Sequence, residues 1–338
     1  MAHDHAYHSL RVAQVIDETA DTRSFVLDVP GSLASTFAYR AGQFCTFRAT
    51  IGGHEVVRCY SMSSAPEVDD PLTVTVKRVP TGVMSNWMND ELAPGDAIDA
   101  LAPEGLFVLQ ARDTPIVAFA GGSGITPVLS IIKAALATTS RPILLVYANR
   151  DTDSVIFASE LAQLAAASAG RLIVHQHLDA EAGFLDARAC AELVGDRADA
   201  DFYVCGPGPY MDVVEAGLAT FAVPTERLFI ERFVVPGESA AEAAASATET
   251  LVLKLNRKIV EIAYNGTDTV LEAARRAGLR PPFSCEAGSC ATCMAHLDEG
   301  DVRMRVNNAL TPEEVDDGWV LTCQSLPTSA KVVVNYDA

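Results

Sequence analysis

The residues best placed to do chemistry are Cys285, Cys290 and Cys293, in the run Phe283-Ser284-Cys285-Glu286-Ala287-Gly288-Ser289-Cys290-Ala291-Thr292-Cys293, and Cys323, in Leu321-Thr322-Cys323-Gln324. Their spacing is C-x4-C-x2-C followed by one distant cysteine, which suits the four protein ligands of a [2Fe-2S] cluster. Each tetrahedral iron takes two protein sulfurs and two bridging sulfides, so all four thiolates are needed. The small residues Ala287, Gly288, Ser289 and Ala291 let backbone N–H groups turn toward the sulfurs, offsetting the cluster's negative charge and tuning its potential. The competing readings are a zinc site and plain buried cysteines. Structural zinc usually presents paired C-x2-C knuckles, and only one such pair is present.

Further candidates lie upstream. Arg58-Cys59-Tyr60-Ser61 falls on an expected strand, where alternation puts Arg58 and Tyr60 on one face to meet a pyrophosphate and a flat ring. Val76-Lys77-Arg78 and then Gly82-Val83-Met84-Ser85-Asn86 place a glycine and a hydroxyl at a helix start, which suits a phosphate. An ordinary exposed strand and a serine cap explain either segment taken alone. Gly121-Gly122-Ser123-Gly124-Ile125-Thr126-Pro127 reads as strand, glycine loop and helix N-terminus, a phosphate-accepting arrangement that a ligand-free βα turn would also produce. Cys205-Gly206-Pro207-Gly208-Pro209 ends a second apolar strand, and ligands sit at such strand ends.

These residues need elements to position them. Strand-like alternation runs over Leu10 to Ile16, Ser24 to Asp28, Gln43 to Ala49, Val56 to Met62, Leu72 to Arg78 and Leu106 to Gln110, with a helix over Val83 to Leu92; this reads as an antiparallel β-barrel. From Pro115 the pattern changes to strands and helices in alternation: Ile116 to Ala120, Thr126 to Leu136, Pro142 to Tyr147, Val155 to Ala167, Arg171 to His177, Asp201 to Cys205 and Tyr210 to Phe221. Such alternation implies a parallel sheet. Pro236 to Thr248, almost wholly Ala, Glu, Ser and Thr after its first residues, reads as a linker. Beyond it, Thr250 to Leu255 and Ile259 to Tyr264 form a hairpin, and Thr269-Val270-Leu271-Glu272 is a capping box whose helix ends at Gly278 before Pro281-Pro282; a β-grasp domain fits. The expected boundaries are 1–111, 112–235, linker 236–248 and 249–338.

The net charge of −19 argues against nucleic acid and anionic membrane as partners. From Leu251 onward 12 acidic and 9 basic residues leave only −3, so the excess is not an acidic docking face on the last domain. No apolar run is long enough for a membrane span and no leader is evident, so a cytoplasmic protein is expected. Cys45, Cys59 and Cys190 read as small buried apolar residues, and His3, His5 and His8 as a frayed tail.

Taken together, these segments resemble the ferredoxin-NAD(P) reductase superfamily over nearly the whole chain. The order of a flavin domain, a nucleotide domain and a C-terminal plant-type ferredoxin is similar to that of oxygenase reductases such as those of phenylacetyl-CoA epoxidation and 3-ketosteroid 9α-hydroxylation. Leu72 to Arg78, Ser85-Asn86-Trp87, Tyr147-Ala148-Asn149-Arg150 and Thr322-Cys323-Gln324-Ser325 most resemble the ketosteroid type. Glu286 and Ala291 depart from it, standing where Arg or Lys and Gly are common.

The resemblance implies roles. Arg58 would hold the FAD pyrophosphate, Tyr60 would pack on the ring system, Ser61 would lie near flavin N5, and Ser85 with the neighbouring amides would bind the pyrophosphate's other side. Thr126 would meet the nicotinamide carboxamide, Cys205 would lie by the hydride path, and Phe233 would pack on the flavin or serve as interdomain core. Arg150 stands beyond the second α/β strand, where a 2'-phosphate would be read, but Asp151 and Asp153 follow it and favour NADH over NADPH. The implied function is electron transfer from NADH through FAD and the [2Fe-2S] cluster to a separate Rieske or diiron oxygenase, by a monomer. A stand-alone diaphorase or quinone reductase and a redox sensor are the alternatives.

Overall fold

The computed structural model describes residues 6–68, 71–233 and 250–338, so the linker of 236–248 lies outside the described residues. Residues 6–103 and 107–233 belong to one compact unit, and 250–338 to another.

In the first unit, β1 (His8–Thr19), β2 (Thr22–Asp28), β3 (Phe44–Ile51), β4 (His54–Ser61), β5 (Thr73–Lys77), helix α1 (Val83–Glu91) and β6 (Ala97–Ala100) follow in sequence. The strands pair antiparallel in the order β4-β3-β6-β1-β2-β5, and a bridge from Met62 to Val74 brings β4 round to β5. Alternation directs Phe25, Leu27, Cys45, Phe47, Val74 and Val76 into one core. Gly52 and Gly53 turn β3 into β4, both at positive φ (59° and 82°), a conformation side chains resist.

The sixth strand is Ala97–Ala100, whereas sequence alternation points to Leu106–Gln110. Phe107 and Leu109 of that later segment join the core of the α/β part instead of pairing as a strand. The ring of Phe107 meets that of Tyr203 edge-on at 5.5 Å. The Tyr203 hydroxyl donates to the Val108 carbonyl (3.3 Å) and accepts from the Gln110 amide (3.1 Å).

The same unit continues with β7 (Ile116–Gly121), α2 (Ile125–Thr138), β8 (Ile143–Asn149), α3 (Ala158–Ala167), β9 (Leu172–Leu178), α4 (Asp179–Ala182), α5 (Ala187–Val194), β10 (Asp201–Cys205), α6 (Gly208–Leu218) and β11 (Leu228–Glu231). Its strands are all parallel, in the order β11-β10-β7-β8-β9, so the winding reverses between β7 and β10. Every residue of β7, β8 and β10 is buried, as expected for strands covered on both faces. Helix α3 starts three residues later than its periodicity indicates, because Phe157 adopts a left-handed conformation (φ 60°) that places Val155, Ile156 and Phe157 in the core.

At the opposite end of this sheet, Arg141 and Asp201 are both buried and pair at 2.6 Å, with Arg112 on the other carboxylate oxygen at 3.1 Å. Asp201→Ala would strand the Arg141 charge, so a loss of about 3–5 kcal/mol is expected in denaturant unfolding.

The second unit contains β12 (Thr250–Leu255), β13 (Lys258–Ala263), α7 (Val270–Arg276), β14 (Met294–Glu299), β15 (Val302–Met304), α8 (Pro312–Asp316), β16 (Trp319–Leu321), β17 (Ser325–Pro327) and β18 (Lys331–Asn335). The main sheet runs β13-β12-β18-β14-β16, with β12 and β18 parallel, a β-grasp arrangement. The Asp337 carboxylate accepts the N–H groups of Asn256 and Arg257, fixing the tight β12–β13 turn (both 2.7 Å). Thr269 and Glu272 cap α7 reciprocally (3.2 and 2.8 Å). This sets Val270, Ala273 and Ala274 against Leu251, Leu253 and Val334.

Candidate redox sites

The four cysteines of the second unit are all buried. They stand as two pairs, Cys285 with Cys290 and Cys293 with Cys323, each pair close enough for its thiols to hydrogen-bond. A binuclear centre asks for one such pair per iron. The Cys285 amide faces the Cys290 sulfur at 3.3 Å, the Ala287 amide faces Cys285 at 3.4 Å, and the Gly288 amide hydrogen-bonds Cys323. Glu286 (φ 53°), Gly288 (φ 73°) and Ala291 (φ 49°) supply the left-handed turns that aim these amides inward. The partner thiol and burial push the Cys290 and Cys323 thiols well above their usual range. Iron would reverse that, since a coordinated thiol is deprotonated. The donor set therefore fits a [2Fe-2S] cluster.

In the first unit, the ends of β7 and β10 bring two glycine loops together. A Cβ on Gly124 would lie 2.2 Å from the Cys205 carbonyl oxygen, and one on Gly206 would lie 3.1 Å from the Gly121 backbone. Gly121, Gly122, Ser123, Gly124 and Thr126 thus stand beside Cys205, Gly206 and Pro207, with Thr126 buried and donating to the Ser123 carbonyl (3.1 Å). Gly124→Ala is expected to destabilise by roughly 1–3 kcal/mol in thermal unfolding, because the clash is with backbone.

Two buried polar atoms near this strand reversal lack hydrogen-bond partners among the described residues: the side-chain oxygen of Asn149, at the end of β8, and the hydroxyl of Tyr210, whose ring packs on Gly121 and Gly206. Open polar groups at the carboxyl ends of parallel strands fit a dinucleotide.

Parallel register sets Cys205 beside Glu231, and Glu231 accepts a hydrogen bond from the Ser61 hydroxyl at 3.4 Å. Burial pushes the Glu231 carboxyl up to about 8, partly offset by Ser61, and burial with the neighbouring carboxylate raises the Cys205 thiol. Glu231 is the site residue that sequence reasoning misses. Its one local signal is a carboxylate closing an apolar strand.

On the barrel, Arg58, Cys59, Tyr60 and Ser61 lie on β4, where register pairs Arg58 with Phe47 and Tyr60 with Cys45, giving Arg58 and Tyr60 a shared face. Cys59 turns the other way, to the Thr46 hydroxyl at 3.3 Å. Helix α1 packs on β4, so the Gly82–Ser85 turn stands near that strand. Arg58 with the α1 N-terminus offers the cation and amide donors that a flavin diphosphate requires.

Not every sequence candidate faces this region. Val76 and Met84 are committed to the barrel core, and Lys77 pairs with Asp21 at 3.6 Å. The Ser85 hydroxyl accepts from the Val79 amide (3.2 Å), and Val83 is about half exposed. Arg150 is exposed and paired with Asp151 at 2.7 Å, while Phe233 is partly exposed.

Three family models match the chain: an oxidoreductase FAD-binding domain over residues 9–109, an oxidoreductase NAD-binding domain over 119–216 and a 2Fe-2S iron-sulfur cluster binding domain over 253–328. The chain is 38% identical to the ferredoxin reductase component of 3-ketosteroid-9-alpha-monooxygenase from Rhodococcus rhodochrous, covering 97% of this chain and 96% of that one. It is 33% identical to a 1,2-phenylacetyl-CoA epoxidase subunit from Escherichia coli K12, with 98% of each covered. Among solved structures, phthalate dioxygenase reductase superposes with a TM-score of 0.63 at 26% identity over 98% of both chains. The chain belongs to the family of oxygenase reductase components that join FAD-, NAD- and [2Fe-2S]-binding domains in one polypeptide.

Proposed function

We propose that this reductase takes hydride from NADH at the meeting of the two glycine loops with β4, and delivers electrons singly through the [2Fe-2S] cluster to a separate Rieske-type oxygenase of the 3-ketosteroid 9α-hydroxylase kind. The observation that carries the reading is a paired four-thiol cradle in the same chain as the buried Ser61–Glu231–Cys205 cluster. Bound FAD supplies the step between a two-electron donor and a one-electron acceptor.

The chain's own residues do the rest. Arg58 and the α1 amides hold the diphosphate, Tyr60 packs on the flavin ring, and the Gly121–Gly124 loop with Thr126 and Pro207 holds the nicotinamide half. A hydride carries two electrons and a proton, and the electrons leave alone. Ser61 Oγ and the Glu231 carboxyl, which burial keeps protonated, form a hydrogen-bonded pair along which that proton can be relayed. Arg150 is engaged by Asp151, which supports NADH over NADPH. Cys285 and Cys290 would hold one iron, Cys293 and Cys323 the other. The domain boundaries follow as 1–111, 112–235 and 249–338, and the protein acts as a cytoplasmic monomer. Among the described residues no helix is long and apolar enough to cross a membrane.

Anaerobic titration with NADH, and separately NADPH, tests the reading. Bleaching of both flavin and cluster bands with uptake of about three electrons is expected, NADH being preferred. Flavin bleaching with the cluster left oxidised would favour a stand-alone diaphorase.

A further inference from the structure

Beside the cluster cradle, Glu286 sits in a left-handed conformation (φ 53°) that a residue with a side chain rarely adopts. Two contacts hold it there, one at its side chain and one at its backbone. Its carboxylate pairs with Arg275 of α7 at 2.8 Å, and Arg275 in turn lies 4.2 Å over the Phe283 ring. Its carbonyl accepts the side-chain amide of Gln324 at 2.9 Å.

Gln324 is buried and follows the ligand Cys323, and the same amide nitrogen lies 3.7 Å from the Cys323 sulfur. The orientation of this amide is fixed by chemistry: turned over, it would set oxygen against the Glu286 carbonyl. Its Oε1 has no hydrogen-bond partner among the described residues, so what it gains in this pose comes from the nitrogen. Gly288 makes room, since a Cβ there would lie 2.9 Å from Gln324 Cγ. A continuous path thus runs from an arginine on the surface of α7, through a strained loop residue, to a cluster-ligating sulfur.

We propose that Arg275, Glu286 and Gln324 form a clasp that positions the cluster loop and sets the cluster's reduction potential, with Gln324 as the positioning residue at the sulfur. The proposal rests on the reading that the four cysteines carry a [2Fe-2S] cluster. A hydrogen-bond donor at a ligating sulfur favours the more negative reduced state, so losing it lowers the potential. Losing Arg275 leaves the Glu286 charge uncompensated near the cluster and acts in the same direction.

The test uses the full-length holoprotein, with the reduced cluster followed by its electron paramagnetic resonance signal during a redox titration and cluster loss followed on adding a chelator. In Gln324→Met the ratio of reduced to oxidised cluster at a fixed potential is expected to fall about tenfold, ~59 mV for one electron, with cluster loss about tenfold faster. Arg275→Gln, a surface change, should show about threefold effects in the same direction. The double variant Arg275→Glu with Glu286→Arg should restore wild-type resistance to the chelator. Unchanged potential and loss rate in both single variants would overturn the clasp, as would a charge-swapped variant no better than Arg275→Gln. A wild-type protein with no [2Fe-2S] signal would instead overturn the cluster reading itself.

Discussion

Cys323→Ser is expected to reduce NADH-driven cytochrome c reduction by at least about 100-fold while leaving ferricyanide reduction by the flavin within about twofold. The two acceptors separate the halves of the chain, because ferricyanide can take electrons at the flavin. Serine fits the buried position, but its hydroxyl is a poor, hard substitute for a thiolate. The loss would not stay local: Cys323 pairs with Cys293, and the neighbouring Thr322 ties to that cysteine's carbonyl at 2.8 Å, so the pair that would hold one iron opens. Visible absorbance and paired kinetic assays check this. Equal loss with both acceptors would mean that the cysteine loop supports the flavin half's stability and is not a separate electron carrier.

The second large effect concerns Glu231. Burial holds its carboxyl protonated up to about 8, whereas in the unfolded chain it ionises near 4.5. Between those values the folded state binds a proton that the unfolded state has released, so stability falls as pH rises, by roughly 1.4 kcal/mol per pH unit from this group. Above the folded value the penalty is complete; below the unfolded value it is absent. Glu231→Gln keeps the shape and removes the titration, so its stability relative to wild type should rise steadily from pH 5 to pH 8 in denaturant unfolding. Parallel curves for the two proteins would show that Glu231 ionises freely in the fold. The same variant should slow oxidation of the NADH-reduced flavin by the cluster about 10²-fold in stopped-flow, because that is the step in which the proton leaves.

These two sites differ in how they are encoded. Three of the four cysteines fall within nine residues, and their tight spacing is itself the ligand geometry. The α7 capping box is equally legible, because Thr269 and Glu272 contact each other across one turn. The parallel sheet follows from alternating strand and helix periods. By contrast, Ser61 and Glu231 lie 170 residues apart and meet only through the packing of β4 on the α/β sheet.

The sequence by itself therefore determined the cluster loop, the three-part architecture and the glycine turns, all of which are specified by residues within one turn or one strand of each other. Tertiary structure alone decided which apolar run became the sixth barrel strand, since Phe107 packs on Tyr203 of the parallel sheet and not on a strand edge of the barrel. It also committed Val76 and Met84 to the core and placed Glu231 in a dry position beside Cys205. Burial and long-range register depend on partners far along the chain, and the charge state of a carboxyl is set by how much water those partners remove.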